Sequence, residues 1–296
     1  MQQADFDKLL ADALLARGYA ESTQETYTLM LRLFGRYLDA VCRNKSLDAV
    51  TPDDIEAYQR YLVVERKVSF PTFNQSNCAL RFFYRTCLGK TDWTVERMPY
   101  ERKRRTLPEI LSGEEIAAIF DACQNLKHKT LLMTSYGGGL RLGETLGLLP
   151  SDVDSTRMMI RVEQGKGRKD RYVMLSETLL LELRTYYKAF RPVRWLFEGR
   201  TKGQPLSPST AEKVFTTAAG RAGIRKGVSF HSLRHAFATH LLEGGTNIRV
   251  IQALLGHQSL TTTQVYTHVA KTYVNATASP LDRLKDKDKK EEPEKG

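Results

Sequence analysis

The sequence predicts a mainly helical protein of two domains, the second carrying one small β-hairpin. Three observations lead there. The chain has 296 residues, and domains usually run to about 100–200 residues. Apolar residues recur at three- and four-residue spacing through most of it, the period of an amphipathic helix. Only Met158–Glu163 and Arg171–Leu175 read as short strands, on either side of the turn Gln164–Asp170.

Taken in order, the elements are these. Ser22-Thr-Gln-Glu25 has the pattern of a capping box, with Tyr27, Met30, Leu31, Phe34 and Leu38 as an apolar stripe behind it. Thr51-Pro52-Asp53-Asp54 is a second helix start, with proline where its missing N–H is harmless. A third helix is expected over Thr72–Cys87, where Asn77, Arg81 and Arg85 form a polar row that can face phosphates or merely solvent. The run Arg102-Lys103-Arg104-Arg105 then reads as a basic interdomain linker over 101–110. The second domain opens with the capping box Ser112–Glu115. Gly137-Gly138-Gly139 follows an apolar helix and reads as its stop, since neither GxxxxGK[ST] nor a strand-linked GxGxxG is present. Helices are expected at Glu177–Phe190, Pro208–Ala222, His231–Glu243, Asn247–Leu255 and Leu260–His268. The expected division is 1–100, linker 101–110, 111–280, and a charged, disordered tail at 281–296.

Composition limits function. The formal net charge is +11. Residues 1–100 sum to zero and 106–281 hold most of the excess, which points to a polyanionic partner without separating DNA, RNA and an anionic surface. No run of about 18 apolar residues exists, so no membrane partner is expected, and the N-terminus lacks a signal peptide's apolar core. Four cysteines without a CxxC pair exclude a disulfide scaffold and point to a reducing cytoplasm.

Six residues make chemical sense together. Arg141 lies in Gly-Leu-Arg-Leu-Gly-Glu144, Lys166 at the hairpin tip, His231 and Arg234 in His-Ser-Leu-Arg, His257 in Leu-Gly-His and Tyr266 in Tyr-Thr-His. Cleaving a phosphodiester puts extra charge on the nonbridging oxygens, which two guanidiniums, Arg141 and Arg234, can bind with forked donors. His257 can complete that cradle. His231 can accept the proton of a tyrosine hydroxyl, and Lys166 can protonate the leaving 5′ oxygen. Tyr266 is the preferred nucleophile. It follows His257 by nine residues, across the helix-starting Thr261-Thr262-Thr263, and its rival Tyr273 lacks the flanking motif. Glu144 can orient a basic group, or be an exposed helix acid. No carboxylate cluster offers a Mg²⁺ site, so neither metal nor cofactor is expected.

At these residues the chain resembles the tyrosine recombinase (phage integrase) family, in the order Arg, Lys, HxxR, His, Tyr and over essentially its whole length. The resemblance implies a SAM-like core-binding helical domain and a catalytic domain that clamp duplex DNA. It further implies a 3′-phosphotyrosine intermediate needing no ATP, and a homo-tetramer on two paired sites, with an accessory DNA-bending protein as a possible partner. The layout looks Xer-like, starting directly at the core-binding domain. Ala278–Asp282 resembles the end of integron integrases, and although the interval from Lys166 to His231 looks too short for their added helix, an integron-integrase-like type stays a secondary reading. Alternatives are a type IB topoisomerase-like enzyme and a catalytically idle DNA-binding regulator. A cytoplasmic, nucleoid-associated enzyme of DNA recombination and integration is the expectation.

Overall fold

The structure is a computed structural model, and it describes residues 3–42, 45–90, 109–163, 170–257 and 259–264. The chain divides into two compact units, 1–105 and 106–296.

The first unit is helical. It comprises α1 (Gln3–Ala16), α2 (Glu21–Val41), α3 (Pro52–Arg60) and α4 (Phe70–Phe82). Helices α3 and α4 each run on into a wide π turn, Tyr61–Glu65 and Phe83–Cys87. Phe6, Leu10, Leu31, Phe34, Leu38, Ile55, Tyr58, Leu80 and Phe83 meet in one core. The buried Tyr84 hydroxyl donates to the Leu47 carbonyl at 2.9 Å. Thr51 caps α3 as its sequence predicts, both its N–H and its hydroxyl donating to Asp54 at 2.7 Å.

Two expectations fail here. The Ser22–Glu25 box does not form, because α2 begins at Glu21 with Ala20 in the capping position. Tyr19 packs against Tyr27 and Phe82 just ahead of the helix, and the capping position lies two residues before Ser22. The third helix begins at Phe70 rather than Thr72, capped by Ser69. Its polar row is not one face. Asn77 is buried and accepts a hydrogen bond from Gln59 at 3.1 Å, Arg81 is half-buried, and only Arg85 is exposed.

The second unit holds α5 (Gly113–Asp121), α6 (Leu126–Gly138) and α7 (Leu142–Leu146), then β1 (Val153–Asp154), β2 (Met159–Val162) and β3 (Arg171–Met174). Helices α8 (Glu177–Phe190), α9 (Pro208–Arg221), α10 (His231–Glu243), α11 (Ile248–Leu255) and α12 (Leu260–Gln264) follow. Ser112 with Glu115 caps α5 as the sequence indicates, and Ser176 and Ser207 cap α8 and α9. The sheet is antiparallel in the order β1-β2-β3, with Ile160 opposite Val173 and Val162 opposite Arg171. Strand β1 is an addition to the expected hairpin. Two residues are too few to show an alternation in sequence.

Along the hairpin, Ile160, Val162 and Val173 enter the core while Met159, Tyr172 and Met174 face out. Arg171 stands in the inward phase with Val173, a charged residue where the two-residue period calls for an apolar one. Helix α6 closes on Gly139, whose φ of +59° is the left-handed C-terminal geometry that glycine adopts freely. Among the described residues no helix is long and apolar enough to cross a membrane.

Candidate active site

Four helix ends and one strand converge in the second unit. The chain leaves α6 at Gly139, and Leu140 anchors the turn, buried, with its N–H on the Ser135 carbonyl at 2.9 Å. Arg141 is then the N-terminal cap of α7, where the Glu144 carboxylate accepts its backbone N–H at 2.9 Å and its guanidinium at 2.7 Å. Helix α10 presents His231 and Arg234 one turn apart. Helix α11 ends at Leu255, and Gly256 at φ +62° turns the chain into His257.

Arg234 is 1% exposed, a buried charge that would be prohibitive without partners. Its guanidinium donates to the Gly139 carbonyl at 2.8 Å and the Leu255 carbonyl at 2.7 Å. Both carbonyls lie at helix C-termini, where the helix leaves acceptors unused and its dipole is negative. Each helix thus gains a cation and the cation is solvated by backbone. The same guanidinium lies 2.9 Å from His257 Nε2. A guanidinium has no acceptor, so Nε2 accepts and the ring proton sits on Nδ1. Nδ1 lies 2.9 Å from the Thr263 hydroxyl, to which it donates.

Glu144 is the negative centre. Besides Arg141, it takes both arms of Arg171, at 2.9 and 2.7 Å, and Arg234 approaches to 3.8 Å. Burial alone would raise its carboxyl. The Arg171 hydrogen bonds, with those of Arg141, outweigh this and hold it at about 2. It is anionic at neutral pH, and with its side chain only 12% exposed and bonded to two arginines it is not an exposed helix acid.

Three histidines here are pushed towards the neutral form. Burial lowers His257 to about 4, helped by the charges of Arg234, Arg141 and Arg171. Burial lowers His231 too, again with Arg234 and Arg141. His235 stands edge-on to His231, ring centres 4.5 Å apart, and burial takes it to about 4. A neutral imidazole flanked by arginines is in the form that accepts a proton.

Arg141, Glu144, Arg234 and His257 are thus in one bonded network, with His231 within electrostatic reach. Lys166, Tyr266 and Arg102, Lys103, Arg104 and Arg105 lie outside the described residues. Arg81 and Arg85 belong to the first unit. Sequence reasoning overlooked Arg171 and Thr263. An arginine in the inward phase of a strand was the available signal for the first, while Thr263 carried none beyond its neighbours. Among the described residues no three His, Cys, Asp or Glu side chains group as a metal site would need.

Two arginines and a histidine thus stand together where helix ends converge in a mainly helical unit. Residues 109–272 match the Phage integrase family, and residues 7–94 match the N-terminal SAM-like domain of phage integrases. A putative integrase/recombinase of Sinorhizobium fredii, y4qK, is 41% identical over 93% of this chain and 88% of its own. The tyrosine recombinase XerD of Caulobacter vibrioides is 38% identical over 79% and 83%. Among solved structures, XerH bound to its difH substrate matches with a TM-score of 0.69 at 22% identity, over 95% of this chain and 85% of that one. A lambda integrase dimer bound to a COC′ core site matches at 0.69 and 20%, over 88% and 97%. These two show the fold. The chain belongs to the phage integrase family of tyrosine recombinases, whose members are site-specific recombinases.

Proposed function

We propose that this protein cleaves and rejoins duplex DNA at specific sites through a 3′-phosphotyrosine intermediate. The observation that carries the reading is the buried Arg234, fixed by two helix-end carbonyls and bonded to His257, with Arg141 on the same carboxylate network. Such preorganised cations bind a phosphate whose charge grows in the transition state without any cost of reorganisation.

In the proposed reaction the Tyr266 hydroxyl oxygen attacks phosphorus and the P–O5′ bond breaks. His231 accepts the tyrosine proton and Lys166 supplies one to the departing 5′ oxygen. Arg141 and Arg234 hold the nonbridging oxygens, and His257 joins them in the tautomer that carries its proton on Nε2, the Thr263 hydroxyl then donating to Nδ1. The 5′ hydroxyl of a partner strand then attacks the phosphotyrosine and returns the proton. One phosphodiester is consumed and one is made, so ATP is not required. Two duplexes need four nucleophiles, which supports a homo-tetramer on paired sites, acting on chromosomal or mobile DNA in the cytoplasm. Arg85, Arg81 and Arg102–Arg105 are proposed to bind phosphates.

The test uses Tyr266→Phe, which removes one oxygen and keeps the ring. Wild-type protein incubated with fragmented genomic DNA should yield a covalent adduct whose DNA can be sequenced to give the target. A duplex of that sequence nicked beside the cleavage point should trap the adduct quantitatively. Tyr266→Phe should fold and bind DNA yet form none. Adduct from that variant, or a modified peptide containing Tyr273, would overturn the assignment.

A further inference from the structure

Among the described residues, Arg171 is a strongly engaged cation of the network that the reaction above leaves unused. It is 8% exposed at the side chain, and it donates two hydrogen bonds to Glu144 and one, from Nε, to the Leu254 carbonyl at 2.7 Å. These bonds join three pieces of chain distant in sequence. They are the first residue of β3, the first turn of α7 below Arg141, and the last turn of α11 leading to His257.

The charges explain why such a residue is needed. Glu144 fixes Arg141 through both its backbone N–H and its guanidinium. A carboxylate that close would also cancel the positive charge of Arg141 and, at 3.8 Å, draw on that of Arg234. Engaging both arms of Arg171 directs the carboxylate's charge elsewhere. Three guanidiniums surround this one carboxylate, so the cluster keeps a net positive charge for the phosphate of the proposed reaction.

Resting on that reading of the site, we propose that Arg171 is a positioning residue: it neutralises Glu144 so that the carboxylate orients Arg141 without quenching it, and it holds the His257 turn in register through Leu254. Arg171 does not touch the phosphate. Its effect passes through Arg141 and His257.

The experiment measures the rate of adduct formation at saturating nicked duplex, with folding followed by circular dichroism and DNA affinity measured separately. Arg171→Met should slow adduct formation by about tenfold or more, a fraction of the roughly 10²–10³ typical for deleting an oxyanion donor itself. The discriminating variant is the double change Arg171→Met with Glu144→Gln. Removing the carboxylate's charge removes the quenching, so the double variant should form adduct faster than Arg171→Met alone. A merely structural arginine predicts the reverse, because the double variant loses further bonds. Should Arg171→Met not fold, Arg171→Lys keeps the charge and loses the fork, and it should bind DNA normally while cleaving more slowly. Wild-type rates in Arg171→Met or Arg171→Lys, or a double variant no faster than the single, would overturn the inference. Absence of adduct from wild-type protein would instead overturn the reading of the site, and the inference with it.

Discussion

Gly139→Ala should cost the second unit about 2–5 kcal/mol, and two separable effects make up the sum. Gly139 has φ +59°, where a Cβ meets the following carbonyl, at about 1–2 kcal/mol. The added methyl would also sit 2.5 Å from Cε1 of Phe237 and closer still to Cδ1. Phe237 is buried, so its ring must move against packed neighbours, at about 1–3 kcal/mol. Gly223→Ala is the internal control: its φ is +74°, but no atom lies within 4 Å of the new methyl. It should show the backbone cost alone. Urea unfolding of the full chain, followed by circular dichroism, measures both. Gly139→Ala should also slow adduct formation in the protein that remains folded, because the Gly139 carbonyl accepts from Arg234 at 2.8 Å and Phe237 lies one turn beyond it on α10. Equal destabilisation by the two substitutions would refute the steric argument. Unchanged adduct kinetics in Gly139→Ala would refute the link from this turn to Arg234.

The other predictions concern protons and DNA. Burial holds His235 and His257 near 4, below the ordinary value of about 6.5. The unfolded chain therefore binds more protons between these values, and stability present above about pH 6.5 should be lost as pH falls towards 4; a urea midpoint no lower at pH 5 than at pH 7 would contradict this. Lys166→Ala should cleave ordinary DNA slowly but a 5′-bridging phosphorothiolate nearly normally, since a thiolate leaves without a proton; equal defects would make Lys166 a phosphate ligand. Replacing Arg102, Lys103, Arg104 and Arg105 by Ala should flatten the log–log salt dependence of DNA binding, by about 0.9 for each phosphate that is no longer neutralised. An unaltered slope would reduce the linker to a tether. Deleting residues 273–296 should impair pairing of sites while single-site binding persists, if that segment docks on a neighbouring protomer. Unchanged recombination would remove that role.

Much of the molecule was legible in its sequence because local physics decides local structure. The α8 and α10 boundaries, the Thr51 and Ser112 caps and the stop at Gly139 depend on residues within a few positions of one another, and the structure has them where the sequence places them. The family signature was legible too, since Arg141, His231, Arg234 and His257 keep their order and spacing. What the sequence could not decide was set by partners far along the chain. Just ahead of α2, Tyr19 packs on Phe82, sixty-odd residues away, and the helix starts at Glu21 against a well-formed local capping signal. Asn77 is buried because Gln59 meets it, although its helix spacing matched the two arginines. Arg171 and Glu144 are 27 positions apart, and Arg171 and Leu254 are 83 apart. Only the tertiary fold brings a strand, a helix start and a helix end within one guanidinium's reach, because a buried charge is tolerated only where several distant groups arrive together to solvate it.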